Sequence, residues 1–407
     1  MKYAVVILDG AGDWPLEELE GKTALAGAQT PIMDMMAKQG AVGVARTIPE
    51  GLEPSSNAAC TSILGYDPMA NNVGRGAIEA AAQGITLAPD ELAMRVNTLT
   101  ILDGVMASYA GGHIPTPDSR AMVARLGELL NDEVFTFYPG MAYRHILVVK
   151  GHPEILDLAY TPPHDISDKS VEGELPRGGA GAELLLRLMV AAHEALKDDP
   201  YNARIIEEGG LPITDIWPFW PGAAPANLLP FSEARGSLRG AMTSGVDLLR
   251  GLAALFGFDW LEVPGVTDGL DNDFAGQAEA GLDALESGAT DVVVIHVEAP
   301  DEMGHAGDVE KKVYAIERID RDIMTRLFAF GKQHARSAGG EGFRLLAMPD
   351  HYTPVATKTH EGEPVPFLLW GDGIEPNGAS AYSEEAAAET GLVLDPAGYQ
   401  VMDLLLD

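Results

Sequence analysis

The sequence predicts an α/β protein whose central sheet is mainly parallel and is flanked by helices. Three short apolar runs have the β-branched character of buried parallel strands: 4–8 ("AVVIL"), 292–297 ("VVVIHV") and 343–348 ("FRLLAM"). Amphipathic helical patterns lie between them, notably over 246–255 and 308–335. This alternation of strand and helix is typical of a parallel sheet covered on both faces.

Each of the three predicted strands runs into acidic residues or histidines. Asp9 follows the first strand, Asp301 and His305 follow the second, and Asp350 and His351 follow the third. Ligands of such sheets gather beyond the carboxyl ends of the strands. We therefore expect these side chains to lie close together at one edge of the sheet.

The residue types at this edge favour a metal site. Asp301 and His305 are four residues apart, which places both on one face of a helix, and His360 follows in "KTHEGEPVPFLLWG". Carboxylate oxygens mixed with imidazole nitrogens suit Mn²⁺, Zn²⁺ or Mg²⁺. Six ligands exceed one closed site, so the pattern predicts two divalent cations about 4 Å apart. Taken singly, an Asp–His pair is also typical of a surface pair or a helix cap.

A candidate nucleophile lies in residues 50–68, "EGLEPSSNAACTSILGYDP". Ser55, Ser56 and Asn57 precede an apolar helical pattern. A hydroxyl at a helix N-terminus lies near N–H groups that attract phosphate oxygens, and a bound metal would lower its pKa. The same residue types serve as simple N-caps, so both roles stay open. Cys60, an alternative nucleophile, has no basic neighbour in sequence and is assigned to core packing.

The middle of the chain predicts an inserted domain. Residues 73–235 contain Pro- and Gly-rich breaks such as "GGHIPTPD", "YTPPHD" and "IWPFWPGAAP", and the strand–helix alternation is less regular there. We expect residues 1–72 and 236–407 to form the core and residues 73–235 to form an α+β insertion. A single large domain with long loops is the alternative.

Composition excludes several classes of function. The net charge of −34 disfavours binding to nucleic acid or to an anionic membrane surface. No apolar run reaches the length of a membrane span, and the N-terminal run is too short for a signal peptide. The one cysteine fits a reducing cytoplasm. We expect a cytoplasmic enzyme, with 46% hydrophobic residues to form its core.

Several motifs together resemble one known family. "ILDGAGDWPLEELEGKTALAGAQTPIMDMMAKQG", "PSSNAACTSILGYDP", "GRGAIEAAAQGI", "HVEAPDEMGHAGD" and "MPDHYTP" with "KTHEGEPVPFLLWG" are similar to the archaeal-type, cofactor-independent phosphoglycerate mutases of the alkaline phosphatase superfamily. The similarity runs in order along nearly the whole chain. It implies an alkaline-phosphatase-like core interrupted by a cap domain, with two divalent cations, Mn²⁺ first and Mg²⁺, Zn²⁺ or Co²⁺ as alternatives.

The resemblance also implies roles for individual residues. One metal is held by Asp9, Ser56, Asp350 and His351, and the other by Asp301, His305 and His360. Ser56 is implied as the nucleophile that takes phosphate from 3-phosphoglycerate and returns it to the 2-hydroxyl. Contacts to this small phosphorylated substrate are implied for the insertion residues Arg75, Arg95, Arg144 and His145.

Three departures from the family pattern leave the substrate open. The family's "GSD" reads Ser55-Ser56-Asn57 here, Cys60 replaces a histidine, and Gln277 stands where relatives often carry a lysine. Parts of the sequence are closest to a subgroup proposed to be homoserine kinases. A homoserine kinase or a metal-dependent phosphatase or sulfatase is therefore the alternative to a mutase.

Overall fold

A computed structural model describes residues 1–225 and 227–407 of the chain. They divide into two compact units. The first unit consists of Met1–Asn72 and Asn227–Asp407, and the second consists of Val73–Ala226. Residues 227–235, which we expected in the insertion, thus pack with the first unit. One reason is that the Tyr66 hydroxyl donates a hydrogen bond to the carbonyl of Leu229.

The strands are numbered β1 to β13 in chain order. They are β1 Lys2–Leu8, β2 Ala41–Ala45, β3 Glu91–Leu102, β4 Val105–Ser108, β5 Phe135–Met141, β6 Arg144–Lys150, β7 Asp215–Ala223, β8 Gly240–Thr243, β9 Asp259–Trp260, β10 Val292–Val297, β11 Phe343–Met348, β12 Val365–Gly371 and β13 Val393–Leu394.

The α-helices are numbered in the same way. They are α1 Ala24–Gly27, α2 Pro31–Gln39, α3 Ser56–Ile63, α4 Arg75–Ala82, α5 Thr116–Leu130, α6 Ala180–Leu196, α7 Pro200–Glu207, α8 Phe231–Ala234, α9 Asp247–Phe256, α10 Phe274–Glu286, α11 Ala299–Ala306, α12 Val309–Arg318, α13 Thr325–His334, α14 Glu384–Glu389 and α15 Val401–Leu406. A π-helical segment, Ile319–Met324, joins α12 to α13. Short 3₁₀ helices are Glu17–Leu19, Gly111–His113, Pro153–Asp157, Pro163–Ile166, Arg336–Ala338 and Gly398–Gln400.

The first unit is built on an eight-stranded sheet in the order β13-β2-β12-β11-β1-β10-β8-β9. It is mainly parallel, and only the pairings of β12 with β11 and β2 are antiparallel. In the centre, β1 lies between β10 and β11, parallel to both, with Leu8 opposite Val297 and Ile7 opposite Met348. This register brings the carboxyl ends of all three strands to one edge.

The core of the first unit follows from its strand sequences. Nearly every residue of β1, β10 and β11 is buried, because helices such as α10, α12 and α13 cover the sheet. A continuous apolar run is the sequence that such a doubly covered strand requires.

The second unit has a five-stranded antiparallel sheet with β3 at its centre. The strands follow the order β4-β3-β6-β5, and β7 also pairs with β3. Helices α5 and α6 bury residues such as Met122 and Leu185 in a separate core. The irregular pattern of this region reflects two hairpins, β3–β4 and β5–β6, whose antiparallel strands are joined by short turns, while helices lie only between the other strands.

The prediction of a mainly parallel α/β sheet is confirmed, and the three predicted strands are β1, β10 and β11. The helical pattern over 246–255 corresponds to α9, and the pattern over 308–335 corresponds to α12, the π-helical segment and α13. The strand expected in "DWLEVPG" is reduced to the two residues of β9.

Candidate active site

The first group of polar side chains lies at the ends of β1 and β11. Asp9, Asp350 and His351 are fully buried. The Nε2 atom of His351 lies 3.5 Å from Oδ1 of Asp9 and 3.3 Å from Oδ2 of Asp350. Oδ1 of Asp350 accepts from the backbone N–H groups of Gly10 at 3.0 Å and of His351 at 2.9 Å, and Oδ2 is the oxygen that faces Nε2 of His351.

Ser56 joins this group. It is the first residue of α3, and Ser55 is the N-cap, with its Oγ accepting a hydrogen bond from the N–H of Ala58. The Oγ of Ser56 lies 3.2 Å from Nε2 of His351. The two roles that the sequence left open are thus divided between the two serines: Ser55 caps the helix, and the hydroxyl of Ser56 contacts the buried imidazole of His351.

The second group is formed by Asp301 and His305 on α11 and by His360. Nε2 of His305 lies 3.1 Å from Oδ2 of Asp301, and Nε2 of His360 lies 3.5 Å from Oδ1. The two imidazole nitrogens are only 3.0 Å apart. Two nitrogens and a carboxylate that converge in this way have the arrangement of ligands around one cation.

The two groups adjoin each other. Asp9, Asp301 and His351 each offer one oxygen or nitrogen atom able to bind a metal, and these three atoms lie within 4.8 Å of one another. The hydroxyl of Thr353 also links the groups, because it donates to Oδ1 of Asp301 and lies 3.2 Å from Nδ1 of His351. The structure therefore brings together all seven side chains that the sequence analysis assigned to metal binding.

The carboxylate of Asp9 fits a bound cation. Within residues 1–225 and 227–407, neither of its buried oxygens accepts a hydrogen bond from an N–H or hydroxyl group, and the carboxyl group of Glu298 is the acid within hydrogen-bonding reach. Nε2 of His296 lies 2.8 Å from Oδ2 of Asp9, but not in the orientation of a hydrogen bond. Burying a carboxylate without compensation is very unfavourable, so this site requires a proton or a cation.

Sequence reasoning missed two residues here, His296 and Glu298. Each can offer one ligand atom together with Asp9, and Nδ1 of His296 is held by Oγ of Ser244 at 3.0 Å. The available clue was a histidine inside an otherwise apolar strand, β10. Cys60 is buried as expected, and its thiol lies 3.9 Å from Oδ2 of Asp350.

Electrostatics at the site reflect crowded, buried acids. Burial, together with the carboxylates of Asp350, Glu298 and Asp301, raises the pKa of Asp9 well above its usual value. Burial likewise raises the pKa of Glu298 to about 7. The hydrogen bond to Asp301 raises the pKa of His305 to about 9. Excess negative charge of this kind favours the binding of divalent cations.

The predicted substrate arginines belong to the second unit. Arg75 and Arg95 lie by the ring of Trp220, with guanidinium carbons 4.8 Å and 5.5 Å from its centroid. Both side chains pair with Glu79. Arg144, at the start of β6, is exposed. Arg75, Arg95 and Arg144 thus remain predicted substrate contacts.

His145 is a correction to the predicted set. Its side chain is buried in the second unit, where Nδ1 accepts from the N–H of Gly140 at 2.9 Å. Nε2 lies 2.9 Å from Oγ of Ser119. Burial lowers the pKa of His145 to about 3, so the ring is neutral. A neutral ring with both nitrogens engaged holds the β5–β6 hairpin in place and contradicts the expected contact with substrate.

Gln277 also has a structural role. It is buried on α10, its Nε2 donates to the carbonyl of His296, and its Oε1 accepts from Asn272. The amide therefore supports the strand that carries His296. A lysine at this position would lose these paired contacts.

Comparisons with known proteins agree with this geometry. A profile of the family described as "2,3-bisphosphoglycerate-independent phosphoglycerate mutase" matches residues 37–202. A probable enzyme of that name from Geobacter sulfurreducens is 41% identical over 100% of both chains. The Methanosarcina barkeri mutase is 42% identical over 97% of this chain and 96% of its own. The chain belongs to this family. The predicted resemblance is confirmed.

Solved structures agree with the family assignment. A Pyrococcus horikoshii protein has a TM-score of 0.80 at 26% identity, covering 100% of this chain and 96% of its own. A Thermoplasma acidophilum cofactor-independent phosphoglycerate mutase has a TM-score of 0.69 at 27% identity, covering 100% and 99%. This chain and the Thermoplasma acidophilum mutase thus share the α/β fold. Among the described residues, no helix is both long and apolar enough to cross a membrane.

Proposed function

We propose that this chain interconverts 3-phosphoglycerate and 2-phosphoglycerate, an isomerisation of glycolysis and gluconeogenesis, through phosphorylation of Ser56. The observation that carries the proposal is the Ser56 hydroxyl, which lies at the start of a helix and 3.2 Å from His351. A phosphoryl group transferred to this oxygen would lie at the positive end of the α3 dipole. Relatives named as phosphoglycerate mutases over the whole chain support this reaction over that of a homoserine kinase.

We further propose that two divalent cations, with Mn²⁺ as the first candidate, are held by these ligands. Asp9, Ser56, Asp350 and His351 would hold one, and Asp301, His305 and His360 would hold the other. The Asp9 oxygens, which accept no well-aligned hydrogen bond among the described residues, and the convergence of His305 and His360 support this division. When bound, the cations lower the pKa of the Ser56 hydroxyl and offset the charge of the transferring phosphoryl group.

In the first step of the proposed mechanism, Oγ of Ser56 loses its proton and attacks the phosphorus of 3-phosphoglycerate. The bond from phosphorus to the 3-oxygen breaks, and that oxygen takes up a proton, which leaves phosphoserine and glycerate. In the second step, the 2-hydroxyl of the same glycerate loses its proton and attacks the phosphoserine. The bond to Oγ breaks, Ser56 recovers a proton, and 2-phosphoglycerate forms.

Retention of glycerate between the two steps needs cationic groups. We assign this role to Arg75, Arg95 and Arg144, because guanidinium groups bind carboxylate and phosphate with two parallel hydrogen bonds. Stacking against Trp220 and pairing with Glu79 support a fixed orientation for Arg75 and Arg95. The single free thiol, Cys60, supports the proposal of a cytoplasmic location.

The proposal is tested by ³¹P NMR of 3-phosphoglycerate mixed with the protein and Mn²⁺, without bisphosphoglycerate. We expect 2-phosphoglycerate to appear, and we expect Ser56→Ala to lower its rate more than about 1,000-fold. Ser55→Ala is the matched control, because it removes a helix cap worth about 1 kcal/mol but leaves the nucleophile. Release of inorganic phosphate alone would indicate a phosphatase, and ATP-dependent phosphorylation of homoserine without isomerisation would indicate a kinase.

A further inference from the structure

Lys312, on α12, is a lysine whose side chain is completely buried in the first unit. Its Nζ has three hydrogen-bond acceptors: the carbonyl of Gly12 at 3.1 Å, Oδ2 of Asp13 at 2.9 Å and the carbonyl of Thr353 at 2.8 Å. Because an ammonium group has three N–H donors, every donor is satisfied. Asp13 is buried as well, so the pair is an ion pair removed from water.

The three acceptors lie in the two loops that carry predicted cation ligands. Gly12 and Asp13 follow Asp9 by three and four residues, in the loop after β1. Thr353 follows His351 by two residues, in the loop after β11. Lys312 therefore joins two loops that are far apart in sequence, since Thr353 follows Gly12 by 341 residues.

Thr353 extends this connection to the second group of ligands. While its carbonyl accepts from Lys312, its hydroxyl donates to Asp301 and lies 3.2 Å from Nδ1 of His351. The N–H of Thr353 also donates to the carbonyl of Gly12. Thr353 therefore contacts one predicted ligand in each group, His351 in the first and Asp301 in the second. A displacement of Thr353 would disturb both contacts.

The buried ion pair of Lys312 and Asp13 is not explained by a contribution to stability alone. Replacing such a pair with apolar residues of similar volume is often neutral or stabilising, because both charges lose their hydration when they are buried. Here two of the three contacts of the ammonium group are to backbone carbonyls, and these fix where the loops run. Outer partners of this kind commonly set metal affinity through the orientation of the ligands.

We propose that Lys312 is a positioning residue that sets the spacing between the Asp9 loop and the Asp350–His351 loop, and thereby sets the affinity of the protein for divalent cations. This inference rests on the proposed cation-binding function. Among the described residues, Lys312 forms no hydrogen bond or ion pair with a proposed ligand, although its charge acts on the carboxylate of Asp301 from a distance. Its effect on the position of the loops passes through the carbonyls of Gly12 and Thr353 and the carboxylate of Asp13.

The test compares Mn²⁺ binding with folding in four purified metal-free proteins: the parent, Lys312→Met, the double variant Asp13→Asn/Lys312→Met, and Lys311→Met. Free Mn²⁺ is titrated by its EPR signal, which requires no turnover, and unfolding temperature is followed by circular dichroism. Lys311→Met is the matched control, because Lys311 is the exposed neighbour on the same helix and its ammonium group pairs with Asp308.

We expect Lys312→Met to weaken Mn²⁺ binding by about 10- to 100-fold and to lower the unfolding temperature. The double variant should recover unfolding temperature, because no buried charge is left unpaired, yet keep the weakened Mn²⁺ binding. Lys311→Met should bind Mn²⁺ as the parent does.

Parental Mn²⁺ affinity in the folded double variant would overturn the inference and leave Lys312 a purely structural residue. If Lys312→Met does not fold, the double variant carries the comparison. Absence of Mn²⁺ binding in the parent itself would instead overturn the proposed cation-binding function, so the two failures are distinguishable.

Discussion

Replacing Asp9 with asparagine should stabilise the metal-free protein and reduce the stabilisation that the protein gains from Mn²⁺. In the metal-free protein, Asp9 and Asp301 place carboxylate oxygens within 4.8 Å of each other. Two full charges at that distance repel by about 3–4 kcal/mol at an effective dielectric constant of about 20. Because the raised pKa of Asp9 allows proton uptake to relieve part of this repulsion, we expect Asp9→Asn to stabilise the metal-free protein by about 1–3 kcal/mol.

Mn²⁺ should offset most of that advantage of the variant. At a free concentration of about 100 times its Kd, Mn²⁺ stabilises the parent by about 2.7 kcal/mol. A variant that binds about 100-fold more weakly gains only about 0.4 kcal/mol at the same concentration. The parent should therefore gain about 2 kcal/mol more from Mn²⁺ than Asp9→Asn does.

The assay is thermal unfolding at pH 8 with chelator and then with Mn²⁺, with Asp90→Asn as an exposed control. Asp90→Asn should respond to Mn²⁺ as the parent does. If Asp9→Asn destabilised the metal-free protein, or if it gained as much from Mn²⁺ as the parent, the assignment of Asp9 as a buried, cation-compensated carboxylate would be wrong.

Two further substitutions test other parts of the molecule. His145→Phe should destabilise the protein by about 1–3 kcal/mol, because it leaves the N–H of Gly140 unpaired, while KM for 3-phosphoglycerate stays within about twofold; a large rise in KM at unchanged stability would restore the substrate role. Burial raises the pKa of Glu384 to about 7. Since the folded state then holds this proton more tightly than the unfolded state, stability should fall as pH rises from about 4.5 to 7. Stability of the Glu384→Gln variant should decrease less than that of the parent over this pH range. If the stability of parent and variant depended on pH identically, this assignment would be wrong.

Local sequence patterns determined the elements that carry the candidate site. The apolar runs of β1, β10 and β11 are set by burial on both faces, and each is readable without knowledge of its neighbours. The spacing of Asp301 and His305 placed them on one helical face, and both lie on α11. Since parallel strands end at a shared edge, the convergence of their acids was predictable as well.

Other features depended on contacts between distant segments. Which serine caps α3 and which one meets His351 is decided by the packing of that helix against the end of β11. His145 was assigned to substrate because it falls in a motif of the insertion that resembles the family, yet β6 is buried from His145 to Val149. The boundary near residue 227 depended on how the returning chain packs.

What the sequence by itself determined, then, is the set of strands and helices and the residues at their ends, because hydrophobic periodicity and helix capping act over a few neighbouring positions. Only the tertiary structure decided that His296 and Glu298 join Asp9, and that Lys312 holds two loops together. These contacts arise from the pairing of β1 with β10 and β11, about 290 and 340 residues further along the chain. No local pattern encodes the partner of a buried charge, because that partner is fixed only when the sheet assembles.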